Sequence, residues 1–292
     1  MSNEQQVKRR INTAQNIAQI TKAMEMVAAS KMKKAQDQAL SARDYSQVLN
    51  DSIETIFQTA KLNHPLLSTH EAGLSIMLVI STDKGLCGAL NTNLARELMT
   101  WKKENPEGEV ICVGKKAILI TRKLGLTVHA QFTDLSDYVH FQDVIPVIEL
   151  VMNGFLEQKF SSVEVLYTDF INTLSQKPKM ETILPISAGF RMELETKEEK
   201  KAEVIPVKEY LFEPSPQEIL NQLLPFFLEN MLFHIFLEAK ASEHSARMVA
   251  MKNASENAKE LMDELRLIYN KTRQQNVTSE LLDIISATMT LN

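Results

Sequence analysis

Glycine and proline, the residues least tolerated inside helices, are absent from both ends of this chain. Neither occurs between Met1 and His64, and neither occurs in the sixty-seven residues after Pro225. All eight glycines fall between Gly73 and Gly189. Such a distribution predicts two very long terminal helices bracketing a compact middle domain. The expected division is 1–64 for an N-terminal helix, 73–212 for an α/β middle domain and 215–292 for a C-terminal helix, with a charged connector at 191–203.

The first helix has an S-x-x-Q capping pattern at Ser2–Gln5. Its apolar stripe runs Val7, Ile11, Ala14, Ile17, Ile20, Met24, Val27 in steps of three and four. Extended to about Ala60 it would be about 85 Å long, more than the diameter of a small domain. Such a helix needs a companion. The second begins with a strong start signal, Ser215 as N-cap, Pro216 as first helical residue and Glu218 two positions on. Pro225 predicts a kink near Asn221 rather than a stop. Leu223–Leu237 is apolar on nearly every face and should be buried. Beyond it the expected seam is Ala239, Ser242, Ala246, Val249, Asn253, Asn257, Leu261, Leu265, Ile268. Antiparallel pairing buries both stripes and leaves an apolar tip at Leu281, Leu282, Ile284, Ile285, Met289 and Leu291, which needs an enclosing partner.

In the middle, Leu74–Ile80 and Val110–Val113 read as strands buried on both faces. Helices are expected from Asn91 through Trp101, at Lys115–Leu124 and at about Phe141–Lys159. Further strands are expected at Thr127–Phe132, Val163–Thr168 and Thr182–Ile186. Alternating strands and helices imply a Rossmann-like α/β domain with a mainly parallel sheet.

Net charge is −5 over 292 residues, which argues against a general nucleic-acid binder. The first 36 residues differ: seven basic side chains (Lys8, Arg9, Arg10, Lys22, Lys31, Lys33, Lys34) stand against Glu4 and Glu25. This surplus fits either a solvated basic face or an acidic partner surface. Two cysteines, Cys87 and Cys112, suit a reducing compartment. The start shows neither a signal peptide nor a transit peptide, and no apolar run approaches the roughly 18 residues of a membrane span.

Chemistry has one foothold. Ser81–Gly88 (S-T-D-K-G-L-C-G) follows a buried strand and precedes a helix, where α/β sheets bind phosphates. It matches neither dinucleotide nor P-loop spacing, so the loop 81–91 reads as a structural turn or a nucleotide site. Cys87 reads as a turn cysteine or a nucleophile. The six histidines show no i, i+4 pairing, so no metal site is expected.

Ile20–Met32 (I-T-K-A-M-E-M-V-A-A-S-K-M), Ser81–Gly88, Phe170–Gln176, Ala241–Met248 and Tyr269–Gln274 together resemble, in order, the signatures of the gamma subunit of F-type ATP synthases. The resemblance implies the central rotor shaft of a proton-translocating complex. It would lie at the cytoplasmic face of the bacterial plasma membrane, without inserting in it. Partners implied are the hexameric ring of alpha and beta subunits, the epsilon subunit and the membrane rotor ring, with no cofactor and no catalysis by this chain. Lys22, Met24, Val27 and Lys31 would face the ring, as would Arg273, Gln274, Thr278 and Glu280 near the top of the shaft. Tyr210, Phe212 and Glu213 would form the foot toward epsilon and the membrane ring. Two departures are visible: Ser286–Asn292 lacks the family's Gly/Ala-rich ending, and the plastid-type cysteine pair is absent. The alternatives are an enzyme using the 81–91 loop and a homodimeric coiled-coil scaffold.

Overall fold

The computed structural model describes residues 3–59, 64–70, 72–186 and 213–290. Within these ranges, side chains 3, 42–47, 50–51, 54–55, 57–59 and 287–290 are outside the description. The connector 191–203, Ser2, Tyr210, Phe212 and Leu291 fall outside it, as does the side chain of Met289.

Elements in chain order are α1 (Asn3–Thr59), a 3-10 turn (Pro65–Leu67), β1 (Leu74–Ile80), α2 (Leu90–Glu104), β2 (Glu109–Val113), α3 (Lys115–Lys123), β3 (Thr127–Phe132), α4 (Phe141–Leu156), β4 (Phe160–Asn172), β5 (Ser175–Leu184) and α5 (Pro216–Thr290). The chain divides into two compact units. One comprises Met1–Ala29 with Arg247–Asn292, and the other Ser30–Ala246.

The larger unit is a five-stranded sheet in the order β3-β2-β1-β4-β5. The four strands β3, β2, β1 and β4 are parallel. Its core lies on both faces, which is why β1 and β2 are apolar throughout rather than alternating. On one face Ile76, Leu78, Ile80 and Ile111 pack with Val147, Val151 and Phe155 of α4 and with Phe227, Leu232 and Phe236 of α5. Leu49, Ile53 and Ile56 of α1 join this layer. On the other face Met77, Val79, Val110 and Cys112 meet Leu94, Leu98 and Trp101 of α2 and Ala117 of α3. By length and by mean hydropathy, 1.2 over an 18-residue window, α5 would qualify as a membrane span. Its most apolar stretch instead forms this core.

Two expectations for this unit need correcting. The last two strands are longer than 163–168 and 182–186, and they form an antiparallel hairpin, β4 and β5 pairing from Val163↔Leu184 to Asn172↔Ser175. Pro178 sits in β5, an edge strand, the place in a sheet where proline is tolerated. Helix α4 stops at Leu156, short of Lys159, because Gln158 takes a positive φ of 59°. The start of α5 is as expected: Glu218 N donates to Ser215 Oγ at 3.3 Å. The helix runs on through Pro225.

The smaller unit is an antiparallel helix pair. Ser255 Oγ donates to Ala18 O at 3.3 Å and Asn276 Nδ2 to Glu4 Oε2 at 3.2 Å, so α5 rises in number as α1 falls. The seam has the expected period and begins as expected at Val7, Ile11 and Ala14, but departs in phase beyond them. On α1 the least exposed positions are Val7, Ile11, Ala14, Ala18, Thr21, Glu25 and Ala28; on α5 they are Met251, Ser255, Ala258, Met262, Leu265, Tyr269, Thr272 and Asn276. These steps alternate three and four, a heptad repeat. Of the expected α5 positions beyond Ala246, Leu265 is buried, while Asn253, Asn257, Leu261 and Ile268 are exposed. On α1, Ile17, Ile20 and Val27 are exposed. On α1 beyond Ala14, Ala18 and Ala28 take the seam while Ile17, Ile20 and Val27 lie on the outer face, because small side chains let two helix backbones approach closely.

Candidate functional sites: a filled switch point and two exposed helix faces

In a doubly wound sheet, ligands bind outside the carboxyl ends of the strands, where the chain order reverses. Here α2 and α3 follow β1 and β2 on one face and α4 crosses to the other, so the reversal lies between β1 and β4. The loop Ser81–Gly88 leaves β1 at this point. Ser81, Thr82 and Asp83 of this loop are bonded to their neighbours. The first N–H groups of α3 bond to it in sequence: Lys115 N to Asp83 Oδ1 (2.9 Å), Lys116 N to Thr82 O (3.0 Å) and Ala117 N to Ser81 Oγ (2.6 Å). Three donors at the start of α3 are thus taken up, while α2, which follows the loop directly, has no side-chain cap at Ala89. Gly114 permits the close approach: it has φ +90°, and a Cβ there would lie 2.5 Å from Ser81 O.

The crevice between the strands is occupied by α5. Ser81, Thr82, Asp83 and Thr168 line it together with Phe236, Ala239, Lys240 and Glu243, leaving room for about one water molecule. Lys240 Nζ and Glu243 Oε2 form a buried ion pair at 3.1 Å. Asn91 Nδ2 donates to Thr82 Oγ1 at 2.9 Å and to Cys87 Sγ at 3.2 Å. Cys87 is thus a buried turn residue at the foot of α2. Cys112 is buried beside Thr121 at 3.3 Å, and burial pushes its thiol up, more than Thr121 and Arg122 draw it down.

A polar network surrounds this crevice. Lys31 Nζ lies 2.6 Å from Asp137 Oδ2, and His244 Nε2 lies 3.8 Å from Asp137 Oδ1. Burial pushes the Asp137 carboxyl up, but the hydrogen bond and charge of Lys31, with His244 and Lys240, hold it below the ordinary carboxylate value. Gln38 Nε2 donates to Val139 O at 2.7 Å. Deeper in, the Tyr167 phenol is raised by burial first and by the carboxylates of Glu238, Glu181 and Asp169 after it.

The residues singled out by resemblance are dispersed. On α1, Lys22 pairs with Glu25 at 2.9 Å, Met24 is half-buried and Val27 is exposed. Lys31 belongs to the larger unit and carries an intramolecular partner in Asp137. On α5, Arg273, Gln274, Thr278 and Glu280 are exposed, Thr278 Oγ1 donating to Gln274 O at 2.9 Å. Glu213 is exposed ahead of α5. Two exposed apolar surfaces stand out, and only the first went unmarked as a group at the level of sequence. One is the outer α1 face of Ile17, Ile20, Met26 and Val27; the other is Val277, Leu281, Leu282, Ile284 and Ile285 of α5, all 46% exposed or more. The α5 group includes four residues of the expected apolar tip. The α1 group was hidden because an exposed Ile looks like a core Ile until the seam's phase is known.

A family described as ATP synthase matches residues 3–291. The ATP synthase gamma chain of Dehalococcoides mccartyi is 38% identical over 302 residues, covering all of both chains. That of Methylacidiphilum infernorum is 41% identical over 295 residues, covering 98% of each. Among solved structures, a chain of the Euglena gracilis mitochondrial ATP synthase OSCP/F1/c-ring assembly is 26% identical with a TM-score of 0.71, covering 99% of this chain and 94% of that one. A chain from the rotor of the same enzyme shares the fold, with a TM-score of 0.67. With full-length similarity of this kind, a helix-pair unit and a mainly parallel α/β unit, the chain belongs to the ATP synthase gamma chain family.

Proposed function

We propose that the chain is the central rotor subunit of a proton-translocating F-type ATP synthase. In this reading it couples rotation of the membrane ring to ATP synthesis or hydrolysis in the alpha/beta hexamer. The observation that carries it is the outer face of α1. Three β-branched residues, Ile17, Ile20 and Val27, stand exposed on a helix whose neighbouring seam positions are Ala14, Ala18, Thr21 and Ala28. Soluble proteins do not keep such stripes bare along a helix without a partner to cover them. The exposed apolar turns at Leu281–Ile285 extend the same demand to the end of α5. A ring enclosing the helix pair meets both.

The chain contributes shape rather than bond chemistry. The first N–H groups of α3 are bonded within the domain, and α5 fills the crevice beside them. Turned inside a ring of near-identical sites, an asymmetric pair of helices presents a different face to each site in turn. ATP is bound, formed and released as that face changes. We place Lys22, Met24 and Val27 at the ring, with Arg273, Gln274, Thr278 and Glu280 higher on α5. Lys31 serves the ring from a position shared with Asp137. Tyr210, Phe212 and Glu213 make the foot toward epsilon and the membrane ring. The division into shaft helices 1–64 and 215–292 around a domain at 73–212 follows these roles. The complex is peripheral to the bacterial plasma membrane on its cytoplasmic face. No nucleic acid or cofactor enters this reading.

Co-expression of the tagged chain with alpha and beta subunits tests it. Recovery of a complex whose ATPase activity depends on the chain is the expected result. A chain that remains alone, with the ring's activity indifferent to it, would overturn the proposal.

A further inference from the structure

Three hydroxyls line the crevice beside α5, those of Ser81, Thr82 and Thr168. Two are fully engaged. Ser81 Oγ donates to Val113 O at 3.1 Å and accepts from Ala117 N at 2.6 Å. Thr82 Oγ1 donates to Lys84 O at 2.7 Å and accepts from Asn91 Nδ2 at 2.9 Å. Thr168 is the exception. It is 4% exposed, and its Oγ1 is buried with no hydrogen-bond partner among the described residues. Valine has nearly the same shape and would bury no polar atom, so a hydroxyl at this position calls for a partner.

A second demand comes from α5. Lys240 and Glu243 line the same crevice, 7% and 4% exposed, and pair within it. A buried ion pair holds well only when its remaining protons and lone pairs are also satisfied. The Lys240 ammonium carries three N–H donors. One of them reaches Glu243 Oε2 at 3.1 Å, the hydrogen bond this side chain makes among the described residues. A hydroxyl on β4 and further donors on α5 therefore border a space the size of about one water molecule.

We propose that this space is a structural hydration site joining β4 to α5. One ordered water accepts from Lys240 Nζ and from the Thr168 hydroxyl, and it donates to the Glu243 carboxylate. Three bonds of this kind are what a buried water ordinarily makes. The lining also selects the occupant. A small anion would meet the Glu243 carboxylate and a small cation the Lys240 ammonium, whereas water both accepts and donates. The site belongs to the sheet unit alone and does not depend on the partners of the chain.

High-resolution crystallography of the full chain tests this directly. Solvent density is expected about 2.6–3.2 Å from Thr168 Oγ1. An ordered Thr168 with no density in reach overturns the proposal. Density that strengthens when sodium in the buffer is replaced by rubidium marks a cation and overturns it equally. Thr168→Val gives an independent reading, because the two cases differ in sign. With water bound, the variant leaves one of its hydrogen bonds unmade and should raise the unfolding equilibrium constant roughly tenfold, read as a lower midpoint in urea. With the hydroxyl merely unpartnered, its removal would leave the midpoint unchanged or raise it, and the proposal falls. Oxygen-17 relaxation dispersion should also count one fewer long-lived water in the variant than in the parent; equal counts would contradict the assignment.

Discussion

Gly154 lies on the face of α4 that meets the buried ring of Phe160, and a Cβ built there would be 2.1 Å from Phe160 Cε2. The ring has no room to retreat, so Gly154→Ala should destabilise the chain by about 1–3 kcal/mol through overpacking, read as a lower midpoint in urea. Asp137 makes a prediction of opposite character. Its carboxyl titrates below the ordinary value in the folded chain, so its contribution is present at neutral pH and is lost as pH falls below the carboxylate range. Both partners are more than a third exposed, which limits the effect of Asp137→Asn to under about 1 kcal/mol. The variant and the parent should differ at pH 7 and converge in acid, a comparison made by urea titration at several pH values. At this scale the sequence was legible where chemistry is local. Ser215 as a cap could be read directly, whereas the positive φ of Gln158 carries no residue signal, since neither Gly nor Asn stands there.

Helices and strands divide along a similar line. The length of α1 and α5 follows from the missing Gly and Pro, and the buried strands β1 and β2 follow from unbroken apolar runs. The phase of the helix seam does not. Hydropathy ranks Ile17 and Val27 above Ala18 and Ala28, while close approach of two backbones ranks them the other way. Only the mutual geometry of α1 and α5 decides. Ala18→Leu should therefore be costly despite being more hydrophobic. It would force α1 from Ser255 and lower stability by about 1–3 kcal/mol, seen as earlier loss of helical circular dichroism on heating. An unchanged melt would mean that the seam is not packed as described. The hairpin was half legible for a related reason. Lys177 and Pro178 break the strand signal of β5, and Thr173–Leu174 lacks the Asn-Gly or Asp-Gly pair that announces a tight turn.

For the molecule as a whole, what the sequence made legible was the class of architecture and the family, because five motifs spread over both ends and the middle are independent constraints. It could not say whether the β1 loop holds a ligand, since that depends on where α5 passes, some 150 residues later in the chain. The corresponding test is at the outer face. Ile20→Asp with Val27→Asp should leave the isolated chain within about 0.5 kcal/mol of its parent, as exposed substitutions do. Binding to the ring should weaken by roughly tenfold or more, measured by co-purification at graded concentration. Equal loss of fold and binding would place these residues in a core instead. Finally, the chain's two thiols, Cys87 and Cys112, are 2% and 0% exposed. A maleimide dye offered to the folded protein should find almost nothing to react with, so one cysteine introduced on the surface would carry the whole label. Without removing a native residue, the position and orientation of a single point on this subunit could then be followed in time.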